Sequence, residues 1–285
     1  MTALTLRADD IAALHRCATD GSLELLYQPE VDLQTGAIVA MEGLLRWHHG
    51  DEGVLAPLAF LDLAEHSGEI GPIGSWVLKE GATEAARWQR LNGPIRQLFL
   101  NVSASQLVAP GFVDEVRAAV EEAHLPLHTL GIEVTEGALT MLGRRAVPLL
   151  EQLHEVGVLL AVDDFGTWYS TLGALDELPV DAVKLDQRYV RGVGGDLDDD
   201  TIVASVISLA HARGLYVVAE GVESWAESAR LIELGCDRAH GFLFASPQRA
   251  DRARWLLQQG TGWRGGILEP GDQASPAIPI PRDDH

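Results

Sequence analysis

The sequence predicts a TIM-like (β/α)8 barrel of the α/β class with an antiparallel first strand. Three observations carry that prediction. Apolar runs with strand periodicity alternate with helical patterns along most of the chain, eight such strands can be counted, and the first two are joined by a tight turn. Alternation demands parallel strands with crossover helices, and eight strands in 285 residues favour a closed barrel over an open doubly wound sheet.

The elements follow in order. Residues 8–19 form a short amphipathic helix, and LELLYQPEVDL then switches to strand periodicity, ending at the turn Gln34-Thr35-Gly36. IVAMEGLLRW is its hairpin partner, so one strand of the barrel runs antiparallel. Helices over 57–68 and 72–92 lead into strand IRQLFLNVS. A helix over 111–123 precedes LGIEVTE, and another over 143–156 precedes VLLAVDD. A short helix near 171–177, strand DAVKLD, helix 200–213, strand LYVVAE, helix 224–234 and a last strand around AHGFLF complete the pattern. In RGVGGDLDDD, at 191–200, four aspartates would repel phosphate, so the segment is expected to be a solvated loop with Asp200 capping the next helix. The barrel domain is assigned to 1–259. From 260 to 285 periodicity gives way to a Pro- and Gly-rich tail or linker.

Composition narrows the function. With 42 acids against 21 bases the formal net charge is −21, which argues against a nucleic-acid polymer or an anionic membrane as partner. A small anionic substrate held by local metal ions remains compatible. Cys17 and Cys236 form no CxxC pair, and no basic-then-apolar leader or run of about 18 apolar residues occurs, so a cytoplasmic location is expected. There is no GxSxG elbow and no HExxH pair, and neither cysteine has an evident histidine partner. A protein nucleophile is therefore not expected.

The strand ends carry the chemistry. Glu42, Asn101, Glu133 with Glu136, Asp163 with Asp164, Lys184 with Asp186, and Glu220 with Glu223 all stand at or just past the ends of successive strands. Each acid alone reads as a helix cap or a solvated loop residue. A barrel gathers those ends on one rim, where so many negative charges require divalent cations or large pKa shifts. Carboxylate and carboxamide are hard oxygen donors, so magnesium or manganese is expected in preference to zinc. Such a site activates water and clamps phosphoester oxygens, with Lys184 stabilising charge, Glu220 taking a proton and Arg46 offering a fork to phosphate.

The motifs YQPEVDL, EGLLRW, NVS, EVTE, DDFGT, VKLD, AEGVE and GFLFASP, in this order over roughly residues 8–250, resemble the EAL-domain phosphodiesterases, which hydrolyse cyclic di-GMP to linear pGpG. The resemblance implies that Glu42, Asn101, Glu133 and Asp163 are metal ligands, with Asp163 shared between two ions and Asp164 on the second. It implies that Lys184 and Glu220 act on the attacking water, and that Gln28, Leu44, Arg46 and His240 meet the substrate. Glu136 would hold the DDFG loop, with Asp186 and Glu223 as supporting acids. It also implies two ions, magnesium or manganese with calcium inhibitory, and a homodimer. A sensory or other signalling domain is a possible partner if the chain is cut from a longer one.

Three positions depart from the family pattern. Gly43 replaces the alanine of the name-giving triplet, and little effect is expected from that. Trp168 stands where the family has glycine, which is expected to rearrange the loop near the second metal and the dimer contact. His240 stands where the family has glutamine and would alter substrate affinity. Trp168 and His240 support an alternative, a catalytically weak cyclic di-GMP receptor module. A third reading is another barrel metalloenzyme, such as an enolase-like proton abstractor.

Overall fold

The computed structural model describes residues 8–50, 52–91, 96–166, 178–195 and 197–259. Strands β1 (Leu23–Asp32), β2 (Ile38–His49), β3 (Gly53–Leu55), β4 (Gln97–Asn101), β5 (Leu130–Thr135), β6 (Leu159–Phe165), β7 (Ala182–Leu185), β8 (Tyr216–Ala219) and β9 (Arg238–His240) form one sheet. Its order is β1-β9-β8-β7-β6-β5-β4-β2-β3, and the β1–β2 pairing closes eight of these strands into a barrel. β1 is antiparallel to both of its neighbours, β2 and β9, whereas β2, β4, β5, β6, β7, β8 and β9 run parallel in succession. The predicted barrel with its antiparallel first strand is thus what the chain forms. β3, absent from the sequence reading, is a three-residue flap on the end of β2.

Strands covered by helices outside and side chains inside need apolar residues on both faces. Leu159 to Val162 are accordingly all buried. Most of the core lies between barrel and helices. A smaller cluster of Ala40, Phe99, Leu159, Ala161 and Ala182, with Tyr216 against it, packs separately.

Helix boundaries moved where caps intervene. The stretch expected as one helix over 57–68 holds a 3-10 turn and then Leu61–Ser67, ended by Gly68 at φ 82°. Glu136–Leu142, unforeseen in the sequence, starts directly from β5 because the Thr135 side chain accepts from Ala138 N. Asp200 does not cap its helix. It lies inside Leu197–Ala212, accepting from Gly194 N at 2.9 Å and from Arg230 Nε at 2.9 Å. A further helix, Ala250–Gln259, is tied to Ile70–Gln89 by Arg254, whose Nη1 donates to both oxygens of fully buried Glu84 at 3.0 Å. Trp88 Nε1 donates to the same carboxylate. The helix expected near 171–177, Trp168 and the tail from 260 lie outside the described residues. Among the described residues no helix is long and apolar enough to cross a membrane.

Gly43 sits in a closely packed place. A Cβ there would stand 2.7 Å from Leu100 Cδ2, and a Cβ on Gly81 would meet the same methyl pair at 2.8 and 3.1 Å. Leu100 is fully buried between the two glycines and has little room to retreat. Gly43→Ala is therefore expected to destabilise by about 1–3 kcal/mol in chemical denaturation. An unchanged midpoint would show that Leu100 repacks freely.

Candidate active site

Register sets the height of each functional side chain. Gln28 is the Cα partner of Glu42, Asn101 of Glu133, and Thr135 of Asp163. Paired residues in adjacent strands point to the same face, so β1 and β2 present Gln28 beside Glu42, with Leu44 and Arg46 at alternate positions above it.

Lys184 is the hub. Its Nζ, on a side chain only 2% exposed, donates to Glu220 Oε1 at 2.7 Å, Glu133 Oε2 at 2.8 Å and Glu42 Oε2 at 3.0 Å, and stands 3.8 Å from Asp163 Oδ1. Asn101 Nδ2 donates to the other oxygen of Glu42 at 2.8 Å. Residues from six strands or strand ends thus converge at one mouth of the barrel.

Electrostatics divide the four carboxylates into two pairs. Burial, reinforced by neighbouring acids, raises Glu133 and Asp163 well above the ordinary carboxylate range despite Lys184. For Glu42 and Glu220 burial also acts upward, but Lys184 and His240 outweigh it and hold both carboxyls below the usual range. Burial presses the Lys184 ammonium downward, and its four acidic neighbours together reverse this, leaving it well above the normal lysine value.

Asp163 and Asp164 owe their placement to a β-bulge. Val162 pairs with Val183 and Phe165 with Leu185, so both aspartates oppose the single residue Lys184. In a regular strand adjacent side chains point to opposite faces. Here Asp164 takes φ 54°, its N–H donates to Asp163 Oδ1 at 2.8 Å, and both carboxylates come to Glu220. The following Gly166, at φ 99°, donates its N–H to Glu136 Oε2 at 2.9 Å and accepts through its carbonyl from the Tyr189 hydroxyl. Glu136 therefore stands where a residue holding this loop is needed. Tyr189, a second clamp, carries no motif that would have revealed it.

Two donor sets could each hold a divalent ion: Asp163, Asp164 and Glu220, and Glu42, Glu220 and His240, with the donor atoms of each set within 4.8 Å of one another. The chemistry fits, because hard oxygen donors carrying more negative charge than Lys184 can neutralise suit magnesium or manganese. Glu220 belongs to both sets and His240 to one, although the sequence assigned them to proton transfer and substrate.

The remaining positions divide. Gln28 Nε2 donates to Ala245 O at 3.0 Å, tying β1 to the segment after β9. Half-buried Arg46 donates to its neighbour Leu45 O at 2.8 Å and pairs with no carboxylate among the described residues. Asp186 caps the turn Gln187–Val190 and pairs with Arg188 at 3.0 Å. Glu223 is not brought into the cluster: it is half exposed, and its carboxylate lies 3.8 Å from Arg191.

The sequence matches the EAL domain family over residues 11–247. A cyclic di-GMP phosphodiesterase of Pseudomonas aeruginosa, NbdA, is 39% identical over 234 residues, covering 82% of this chain and 30% of its own length. An uncharacterized protein of Mycobacterium tuberculosis is 41% identical over 253 residues, covering 88% of this chain and 41% of its own. Among solved structures, the MucR phosphodiesterase in complex with c-di-GMP aligns with a TM-score of 0.81 at 36% identity, over 86% of this chain and 99% of that one. This chain spans well under half the length of those two curated relatives.

Proposed function

The chain belongs to the EAL-domain family, and from that premise we propose that it is a divalent-metal-dependent phosphodiesterase that opens cyclic di-GMP to linear pGpG. One observation supports this above the others: Glu42, Glu133, Asp163 and Glu220, from four different strands or strand ends, meet around Lys184, and Arg46, within the field of Glu42, makes no close ion pair among the described residues.

Glu42, Asn101, Glu133, Asp163 and Asp164 are the proposed ligands of two ions, magnesium or manganese, with Glu220 a further donor. Divalent ions, when bound, supply Lewis-acid stabilisation of phosphoryl oxygens and acidify water. Arg46 offers two parallel N–H groups to the reacting phosphate, and Gln28 and Leu44 line the approach. Glu220 is held ionised at neutral pH, so it can accept the proton of the attacking water. Lys184 places a fixed positive charge among Glu42, Glu133 and Glu220, where it can favour negative charge developing on the phosphate. Formation of pGpG breaks the bond from phosphorus to the 3′ oxygen and leaves the phosphate on the 5′ side. Homodimerisation, a cytoplasmic location and an attached sensory domain belong to the same proposal, the last in keeping with the greater length of the relatives.

A receptor reading draws support from His240, whose ring lies against Glu42 and Glu220, two of the groups a metal would use. Multiple-turnover hydrolysis separates the two. The wild-type chain is expected to accumulate pGpG over many cycles with manganese present, and both chelation and Glu42→Ala are expected to abolish turnover. Saturable binding of cyclic di-GMP without product would establish the receptor instead.

A further inference from the structure

His240 ends β9 and is the Cα partner of Glu30 on β1. Its Nε2 lies 3.4 Å from Glu220 Oε1 and 3.7 Å from Glu42 Oε2. At metal–ligand bonds of about 2.1 Å, neighbouring donors on one six-coordinate ion stand about 3 Å apart and opposite ones about 4 Å apart. The two spacings at this site fall between those values.

The ring has little freedom to go elsewhere. The backbone of His240 is fixed by Val222 N donating to His240 O at 3.1 Å, and Leu243 N returns a bond to Val222 O at 2.9 Å. The next residue, Gly241, takes φ 155°, and a Cβ there would fall 2.2 Å from Val222 O, so the chain turns against the strand-end loop with no space to spare. The side chain is 13% exposed. Its Nδ1 is buried and has no hydrogen-bond partner among the described residues. The edge that meets other polar groups is the Nε2 edge, and what it meets is a pair of carboxylates.

We propose that His240 Nε2 is a ligand of a divalent ion held together with Glu42 and Glu220, which makes this a mixed nitrogen and oxygen site selective for manganese or another first-row transition ion over magnesium. The proposal rests on the metal-dependent reading of the same site. A glutamine in this place would offer an amide oxygen, a hard donor like the carboxylates around it. Imidazole nitrogen is a better partner for transition ions than for magnesium, so the replacement changes which ion the site prefers. The oxygens of Glu42 and Glu220 that face His240 are also those that accept from Lys184. Each carboxylate oxygen has two acceptor directions and can serve both cations.

Electron spin-echo spectroscopy of the manganese-loaded full chain tests the assignment without relying on turnover. The wild-type protein is expected to show modulation from a directly coordinated nitrogen, altered when only histidine is labelled with 15N, and His240→Gln is expected to remove it. In metal titrations followed by calorimetry, His240→Gln is expected to weaken manganese binding about 10-fold or more while changing magnesium binding by less than about 3-fold. Manganese bound without histidine coupling overturns the ligand assignment and leaves the metal-dependent reading intact. Coupling that survives His240→Gln, or an equal loss of both metals, also overturns it. A wild-type chain that binds no manganese overturns both. The labelled wild-type measurement shows histidine coordination without any variant, and His240 is the histidine that the candidate donor sets contain among the described residues.

Discussion

Lys184→Met is expected to destabilise the metal-free protein by about 3–5 kcal/mol at neutral pH, the cost of leaving buried charge without its partner. The side chain is 2% exposed and Glu133 1%, so water cannot replace the lost ammonium. Three carboxylates within 3.0 Å of Nζ, and a fourth at 3.8 Å, would face one another directly. Methionine keeps the length and apolar stem of lysine, so packing alone does not account for the loss.

The pH dependence identifies the cause. Because the folded state raises the lysine pKa, its contribution is complete below the unfolded lysine value and is lost only as pH rises through the higher folded value. At neutral pH the wild type therefore has all of it and the variant none. Burial and neighbouring acids already raise the pKa of Glu133 and Asp163, so in the variant acidification lets carboxylates of the cluster take up protons and relieves the repulsion. The stability gap between wild type and variant is expected to narrow as pH falls from 7 and to narrow again on adding manganese. A small gap indifferent to both pH and metal would mean that the carboxylates do not depend on Lys184.

Much of this site was legible because a parallel barrel has one productive rim. Glu42, Asn101, Glu133, Asp163, Lys184 and Glu220 each follow an apolar run, and closure of the barrel brings such ends together whatever the separation in sequence. Lys184 and Glu42 are 142 positions apart and in hydrogen-bond contact. What periodicity could not supply were features decided by tertiary contact. The bulge that turns Asp163 and Asp164 toward one partner is a register shift between β6 and β7, and two adjacent aspartates do not announce it. The notch for Leu100 between Gly43 and Gly81 joins a strand residue to a helix residue with no local signal. Glu223 shows the same limit from the other side. It shares a motif with Glu220, three residues earlier, yet the loop after β8 turns it outward to Arg191.

Glu220→Gln is expected to lower kcat about 10²–10⁴-fold, the range that positioned acid–base groups supply, with a much smaller change in KM. Glutamine preserves shape and can still hydrogen-bond, so the change isolates the charge. Glu220 accepts from Lys184 at 2.7 Å, lies 3.4 Å from His240, and belongs to both candidate donor sets, so two roles must be separated. If its main work is to hold metal, excess manganese restores most of the rate. If it takes the proton from water, the deficit persists at saturating metal, which is the outcome expected here. Stability supplies an independent check. The folded state depresses the Glu220 pKa, so its contribution is present above the unfolded glutamate value and disappears as pH falls through the lower folded one. The variant should therefore be less stable than wild type at pH 7 and approach it in strong acid. A kcat at saturating manganese within about tenfold of wild type would remove Glu220 from proton transfer, because general-base catalysis contributes more than that.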